Sequence, residues 1–373
     1  MNMMAHTALA ANADPHARWR ALEKSSGGHS ASASPPWLLA AMDELPEGER
    51  PRPLALSSPT GGLAAMAGVR VSRRLWPLAK ITTTRWGEFF FSGQPLVARG
   101  REEEALRGLL ERARQMGAPA LELAAIDADG PLLAAARRLA GKGRLRLAVM
   151  DEWQRAALEA TRGPGQWWQE DISRRRRKEW NRLARRLAEK GEVTFEALAP
   201  GDDHGEWLAA FLELEKSGWK GKAGTAIACN EAHRRFVEKA LAAFAAGGRL
   251  RFWRLRLDGE TIATLFGFLT GDRLWLGKMA YDERWAEWSP GVLMMLEATR
   301  DILADGRIAL ADSCADPGHP MIERIWKQRI GLADVLILPM DIPSPRAEAI
   351  IAAERTRRKA RSRLKQLWHA VRR

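Results

Sequence analysis

Cysteine and tyrosine are almost absent from this chain. Cys229 and Cys314 are the only two cysteines, and a single, widely spaced pair excludes both a disulfide framework and a cysteine-based zinc site. His204, His233 and His319 lack metal-ligand spacing as well, so no metal is expected. Long apolar runs are missing too. Uncharged stretches such as Thr261 to Gly271 fall well short of the ~20 residues that a membrane span needs. The first residues, MNMMAHTALAANADPHARWR, have neither the basic start nor the apolar core of a secretory signal. These absences predict a cytoplasmic protein. Tyr281 is the single tyrosine, against 16 tryptophans.

What is present suits a globular protein with a substantial core. The 373 residues are 46% hydrophobic and 28% charged, which predicts two or three domains. The net charge of +13 is concentrated in two segments. Ser173 to Lys190 holds nine Lys/Arg and two Glu, and Pro345 to Arg373 holds ten Lys/Arg and two Glu, so the remainder is close to neutral. Basicity is therefore a property of two segments rather than of the whole chain.

Residues 1–45 read as a leader, partly disordered, with short helices over His16–Glu23 and Trp37–Leu45 and a flexible Ser25–Pro36 linker. Elements then alternate. Ala105, Leu106, Leu109, Leu110 and Ala113 have the spacing of an amphipathic helix, closed at Gly117. Strands are predicted at Ala120–Ile126 and Leu145–Met150, around a helix over Pro131–Ala140. A basic helix follows over Ser173–Lys190, then a strand at Val193–Ala197 and helices over His204–Lys216 and Asn230–Ala246. Three strands come next (Leu250–Leu257, Thr261–Leu269, Leu274–Ala280), joined across Asp258-Gly259 and Gly271-Asp272, both strong hairpin signals. The pattern ends with helix Pro290–Ala304, strand Ile308–Ala311, helix Pro320–Arg329 and strand Asp334–Leu338. The predicted domains are 46–160 and 170–340, with a basic amphipathic tail over 345–373. The fold class is α/β (α+β), and the two halves share an order of elements.

Several residues invite a chemical reading. Ser289-Pro290-Gly291 has the N-cap serine and first-turn proline of a helix start. Placed just after a strand, such a start presents N–H groups to a phosphate, with Arg284 adding charge. Cys314 beside Asp312 suggests a thiol nucleophile paired with His319, but an inert buried cysteine is the better reading. Glu213 and Glu215 sit two apart on a helix, on different faces, and make no carboxylate pair. The loop Gly218 to Ala226 reads either as a lid using Lys220 or Lys222, or as a solvated linker. Leu364, Leu367, Trp368 and Val371 form an apolar stripe in the basic tail. Peripheral membrane contact, tRNA contact, or simple packing on the body all stay open for the basic helices.

The LDGETIA hairpin (Leu257 to Ala263), GKMAYDERWAEWSPGVLM (Gly277 to Met294) and LADSCADPGHPMIERIW (Leu310 to Trp326) together resemble the GNAT-type acetyltransferases grouped with the cellulose-biosynthesis protein CelD, which are related to the FemAB peptidyltransferases. The resemblance covers Ser173 to Leu338. It implies two GNAT-like lobes, each a mixed sheet flanked by helices, the second clearer. It also implies a V-shaped opening between strands Leu274–Ala280 and Ile308–Ala311 that admits acetyl-CoA or another acyl-CoA, with an amino or hydroxyl acceptor and a link to polysaccharide or envelope metabolism. Ser289, Pro290, Gly291, Val292 and Arg284 would hold the donor. For acyl transfer, Asp282 or Asp312 is the expected base, Tyr281 the acid, and Lys278 or strand N–H groups the oxyanion donors. The loop WAEWSPGV keeps one glycine of the pyrophosphate-wrapping pattern. Two alternatives therefore accompany this reading: FemAB-like transfer from aminoacyl-tRNA, and a catalytically silent scaffold that binds membrane or polynucleotide.

Overall fold

The computed structural model describes residues 15–26, 29–59, 61–87, 89–199 and 201–371, with side chains for 16–364 of these. In chain order the elements are α1 (Pro15–Ser25), α2 (Pro35–Glu44), β1 (Arg52–Ser57), β2 (Leu63–Leu75), β3 (Ala79–Thr83), β4 (Leu96–Val97), α3 (Glu102–Gln115), β5 (Ala120–Asp127), α4 (Pro131–Gly141) and β6 (Arg146–Glu159). Then follow α5 (Pro164–Glu170), α6 (Arg174–Ala188), β7 (Val193–Ala197), α7 (His204–Ser217), α8 (Trp219–Lys222), α9 (Glu231–Ala246), β8 (Leu250–Leu257), β9 (Glu260–Thr270) and β10 (Arg273–Tyr281). The last are α10 (Pro290–Ala304), β11 (Leu310–Asp312), α11 (Ile322–Ile325), β12 (Gln328–Leu338) and α12 (Ser344–Val371). Two compact units result. Of the described residues, the first comprises those within 15–35, 49–153 and 331–371, and the second those within 36–48 and 154–330. Among the described residues no helix is long and apolar enough to cross a membrane.

In the first unit, β1-β2-β3-β5-β12 pair in that order. Alternation along the strands splits their side chains between two faces. Leu121, Leu123, Val335 and Ile337 pack with Leu106 and Leu109 of α3 and Leu133 of α4, while Ala120, Leu336 and Leu338 pack with Ala347 and Ile350 of α12. The five apolar positions expected on α3 are the five it buries. Strands β3 and β5 run parallel from Ile81↔Ala120 to Thr83↔Glu122 and then part. The chain fills that gap itself. Thr84 Oγ1 accepts from Ala124 N at 2.9 Å, Gly93 N donates to Ala124 O at 2.8 Å, and Ser92 Oγ donates to Ala125 O at 3.0 Å. A Cβ on Gly93 would sit 2.0 Å from Thr84 Oγ1, so only glycine fits there.

Of the Ser25–Pro36 segment, expected as a flexible linker, residues 27 and 28 lie outside the described residues and residues 29–36 are packed. Ser30, Ser32 and Ser34 are buried, Ser30 Oγ donates to Gln94 O at 2.5 Å, and Trp19 Nε1 donates to Ala33 O at 3.0 Å. Small polar side chains that satisfy their own hydrogen bonds can pack flush, which composition alone does not reveal. Residues 1–14 of the expected leader lie outside the described residues. In the tail, Leu364 of the expected stripe is exposed at 66%, and the side chains of Leu367, Trp368 and Val371 lie outside the described residues.

In the second unit the order is β6-β11-β10-β9-β8-β7. The Asp258-Gly259 turn forms as expected, with both residues at positive φ (48° and 80°). One face of the sheet is aromatic. Phe252 meets Trp207 and Phe211 of α7, and Trp37 of α2 stacks on Phe268 and meets Phe236 edge-on. The other face packs on α10, where Trp253 Nε1 donates to Asp301 Oδ2 at 2.7 Å and Trp326 Nε1 to Thr299 Oγ1 at 3.0 Å. The helix expected over Pro320–Arg329 is only Ile322–Ile325, because Trp326 turns extended (φ −104°, ψ 125°) to bury its indole. Strand β11 starts two residues later and ends one residue later than predicted, and α5, announced by Gly163-Pro164, was not anticipated.

A buried ionic cluster ties α12 to the first unit's sheet. Glu122 binds Arg74 at 2.6 Å and also Arg358, Arg358 reaches Asp334 at 2.6 Å, and Glu354 receives Arg357 at 2.6 Å and Arg358 at 2.9 Å. Burial acts to raise the Glu354 pKa, but the hydrogen bond from Arg357 and the charge of Arg74 outweigh it and push the carboxyl down to about 2. A carboxylate with a depressed pKa stabilises the fold above its unfolded pKa and loses that contribution as pH falls toward the folded value. Glu354→Gln should therefore lose roughly 3 kcal/mol at neutral pH, and its stability should fall less than the wild type's between pH 4.5 and about 2. Urea unfolding across that pH range checks both.

Candidate functional site

The site is built where β10 and β11 separate. The two strands are parallel and pair only at Arg273↔Leu310, Leu274↔Ala311 and Trp275↔Asp312. Strand β10 continues to Tyr281, while β11 ends at Asp312. Beyond Trp275 that edge of β10 therefore faces a cavity of about 550 Å3. Its walls include Gly277, Lys278, Met279 and Tyr281 from β10, Ser289 to Val292 and Met295 at the head of α10, Ser313, Cys314 and Ala315 after β11, and Lys220, His319 and Met321. An apolar hollow with a few convergent polar groups is the usual form of a small-molecule site.

Two local devices shape β10. Its register against β9 shifts between Leu276 and Met279, so Gly277 and Lys278 together oppose Phe266. Such a bulge re-aims a side chain. Gly277 is required there, because a Cβ would lie 2.1 Å from the Phe266 ring. Gly291 performs a similar service at the helix head, where a Cβ would meet Met279 Sδ at 3.1 Å and the Tyr281 ring at 3.6 Å.

Asp312 is at the apex of the opening and is fully buried. Its carboxylate receives Arg155 Nε at 2.6 Å and Nη2 at 2.7 Å, Arg273 Nη2 at 2.6 Å, and Cys314 N at 2.9 Å. Burial alone would raise its pKa, but the Arg155 and Arg273 guanidinium charges reverse that and hold it below the ordinary range. With its lone pairs engaged and no place on the cavity wall, Asp312 is not arranged as the base expected of it. Asp282 is not either. It caps the 3-10 turn Glu283–Trp288 through Arg284 N at 2.9 Å and binds the Arg284 guanidinium at 2.7 Å. Burial raises its pKa, but the Arg284 hydrogen bonds prevail and lower it. Neither Asp282 nor Arg284 lines the cavity. Sequence proximity to the strand end suggested them, but their mutual attraction turns both aside.

The helix head also differs from expectation. Ser289 is left-handed (φ 52°, ψ 54°) and its side chain makes no capping bond. Its O accepts from Val292 N at 2.9 Å and Leu293 N at 3.2 Å, and its N donates to Ala286 O at 3.0 Å. Pro290 has no N–H, so the Gly291 N–H is the donor left at this end of α10 among the described residues. Ser289, Pro290, Gly291 and Val292 do line the cavity, as do Lys278 and Tyr281.

Glu215, considered in the sequence only as half of a carboxylate pair with Glu213, has a role that sequence reasoning did not find. It is almost fully buried, accepts from Ile227 N at 2.8 Å, and binds Lys220 Nζ at 3.0 Å, with Lys278 Nζ at 3.8 Å. One buried carboxylate thus positions two wall lysines. No pattern in the sequence links 215, 220 and 278, because the contact joins α7, α8 and β10. The loop Gly218 to Ala226, read as either a lid or a solvated linker, is fastened. Trp219 N donates to Glu283 Oε1 at 2.6 Å, and Lys222 pairs with Glu283 at 3.2 Å, away from the cavity wall.

Residues 174–316 match the family described as an acetyltransferase (GNAT) domain. No curated protein matches the chain. Among solved structures, the chain is similar to FemX (13% identity, 91% of this chain and 99% of that chain, TM-score 0.59). It is also similar to L-PGS from Bacillus licheniformis (14%, 91% and 96%, TM-score 0.54). A third is a conserved protein of unknown function from Bacteroides thetaiotaomicron (10%, 87% and 96%, TM-score 0.56). At these identities the likeness is one of fold.

Two measurements follow from the apex. Asp312→Asn leaves two buried guanidinium groups without their anion and should destabilise the second unit by about 3–5 kcal/mol in urea titration. Burial, and secondarily the Asp312 charge, push the Cys314 thiol well above its ordinary pKa, whereas Cys229 is exposed. Timed thiol labelling at pH 8 with mass mapping should modify Cys229 first and Cys314 slowly.

Proposed function

We propose that this protein is an acyltransferase whose 170–340 region binds an acyl-CoA in the cavity between β10 and β11 and passes the acyl group to an amino or hydroxyl acceptor. The observation that carries this reading is the parting of two parallel strands at the head of α10, which leaves one strand edge open onto an apolar cavity. The match of residues 174–316 to an acetyltransferase domain supports it. An extended edge can take the amide-rich arm of a donor as a further strand would, and the Gly291 N–H with Lys220 and Lys278 supplies positive potential for its phosphates. Tyr281 is the wall residue suited to protonate a leaving thiolate. His319, on the same wall, replaces the two aspartates as the base once its Nδ1 lone pair is released from the long bond that Met321 N donates to it at 3.4 Å. Backbone donors on β10 would stabilise the oxyanion. A CelD-like role in polysaccharide or envelope metabolism remains the biological setting that the sequence motifs suggest.

A second reading is FemAB-like transfer from aminoacyl-tRNA. Similarity to FemX over 91% of the chain favours it, as does a helix head offering one N–H rather than a phosphate cradle.

Thermal unfolding with acetyl-CoA, free CoA and a longer acyl-CoA separates the two. A donor at about 100 times its dissociation constant should add roughly 2.7 kcal/mol of stability. Lys278→Met, still folded, should lose most of the shift. No shift with any of the three, together with turnover of an aminoacyl-tRNA, would replace the first reading by the second. His319→Gln should retain donor binding and lose turnover.

A further inference from the structure

Helix α6 carries a charge pattern that the cavity does not use. Arg174, Arg175, Lys178, Arg182, Arg185 and Arg186 are all exposed. At 3.6 residues per turn they form one stripe, roughly 120° wide and about 18 Å long. Among the described residues none of the six has an ion-pair or hydrogen-bond partner. The cations of α9 differ: Arg234 pairs with Glu231 and Glu238, and Arg235 and Lys239 with Glu44. Like charges stacked along one helix face repel, and the fold gains nothing from them. The helix is held instead by Trp180 and Leu187 and by Arg177, which donates to Trp168 O at 3.1 Å and Gln169 O at 2.7 Å.

A second observation lies along the same helix. A hollow of about 250 Å3 has an apolar wall that includes Trp168, Trp180, Phe195, Leu293 and Leu296, with Asn181 of α6 and the paired Glu297 and Arg300 as its polar side. Cationic stripe and partly apolar hollow thus share one helix.

We propose that α6 docks the protein on an anionic phospholipid surface, with the arginine stripe on lipid phosphates and one acyl chain in the tryptophan-lined hollow. Charge complementarity calls for a polyanion, and the hollow decides which. A single-stranded nucleic acid would need aromatic faces open for base stacking, whereas Trp180 is 6% exposed and borders a hollow with one apolar wall. The stripe runs continuously along the helix and meets a headgroup layer side-on. This inference does not depend on the acyl-transfer reading.

The test is co-sedimentation of the full chain with phosphatidylcholine vesicles, with or without a quarter of phosphatidylglycerol, in about 100 mM salt. Pelleting is expected only with the anionic vesicles, weakening as salt rises. An R174Q/K178Q/R182Q/R185Q variant with unchanged melting should bind at least about a hundredfold more weakly. If that variant melts early, the single charge reversal Arg182→Glu should show the same direction. Vesicles with brominated acyl chains should quench part of the tryptophan fluorescence of the wild type, and less of it in Trp168→Phe. Failure to pellet with anionic vesicles, or equal binding by the charge variants, would overturn the proposal. So would binding of tRNA in place of vesicles. Equal quenching in Trp168→Phe would overturn the acyl-chain contact.

Discussion

The second unit is organised around one buried carboxylate. Asp312 ends β11 at the point where that strand leaves β10, and it is held by Arg155 from β6 and Arg273 from β10. A buried ion pair adds little net stability compared with an apolar replacement, but it is unforgiving about geometry, because any displacement leaves charge unpaired at low dielectric. Three strands are thereby fixed at the apex of the opening. The same carboxylate accepts from Cys314 N and so sets the turn that carries Ser313, Cys314 and Ala315 onto the cavity wall. Positioning is its contribution, and a free proton acceptor would do that job worse.

The abundance of tryptophan has a structural account. Trp37, Trp167, Trp253, Trp275 and Trp326 are fully buried, and several of their indole N–H groups find acceptors, as Trp275 does at Thr270 Oγ1, 2.8 Å away. A wide, flat side chain with one donor can bridge sheet and helix while satisfying its polar atom. Tyrosine would serve similarly in the core. Here the single one, Tyr281, stands at the cavity, half exposed.

Much of the fold was legible because its signals are local. Alternation and hairpin turns gave β8, β9 and β10, and helical spacing gave α3 residue for residue. Errors came where tertiary packing overrides local pattern. Trp326 breaks a helix in order to be buried, and the serines at 30, 32 and 34 pack despite a linker's composition. The site divides in the same way. Lys278, Tyr281 and Ser289 to Val292 line the cavity, a position that follows from strand and helix ends, which are readable. Asp282, Arg284 and Asp312 were assigned roles from position alone, and their partners, visible only in three dimensions, claim them. The role of Glu215 was invisible because its lysines come from other elements.

The two units treat the same gap differently. In the first, Ser92 and Gly93 lie against the freed edge of β5, and Gly93 is the residue that lets the chain come so near. A strand edge with unmet hydrogen bonds invites pairing with any extended chain, including another copy of the protein. The first unit meets that hazard from within and keeps its edge sealed. The second leaves the edge of β10 open, and the short β11 with its buried anchor limits how much is exposed. The unpaired stretch of β10 thus opens onto a hollow rather than onto a broad surface that a second copy could add to.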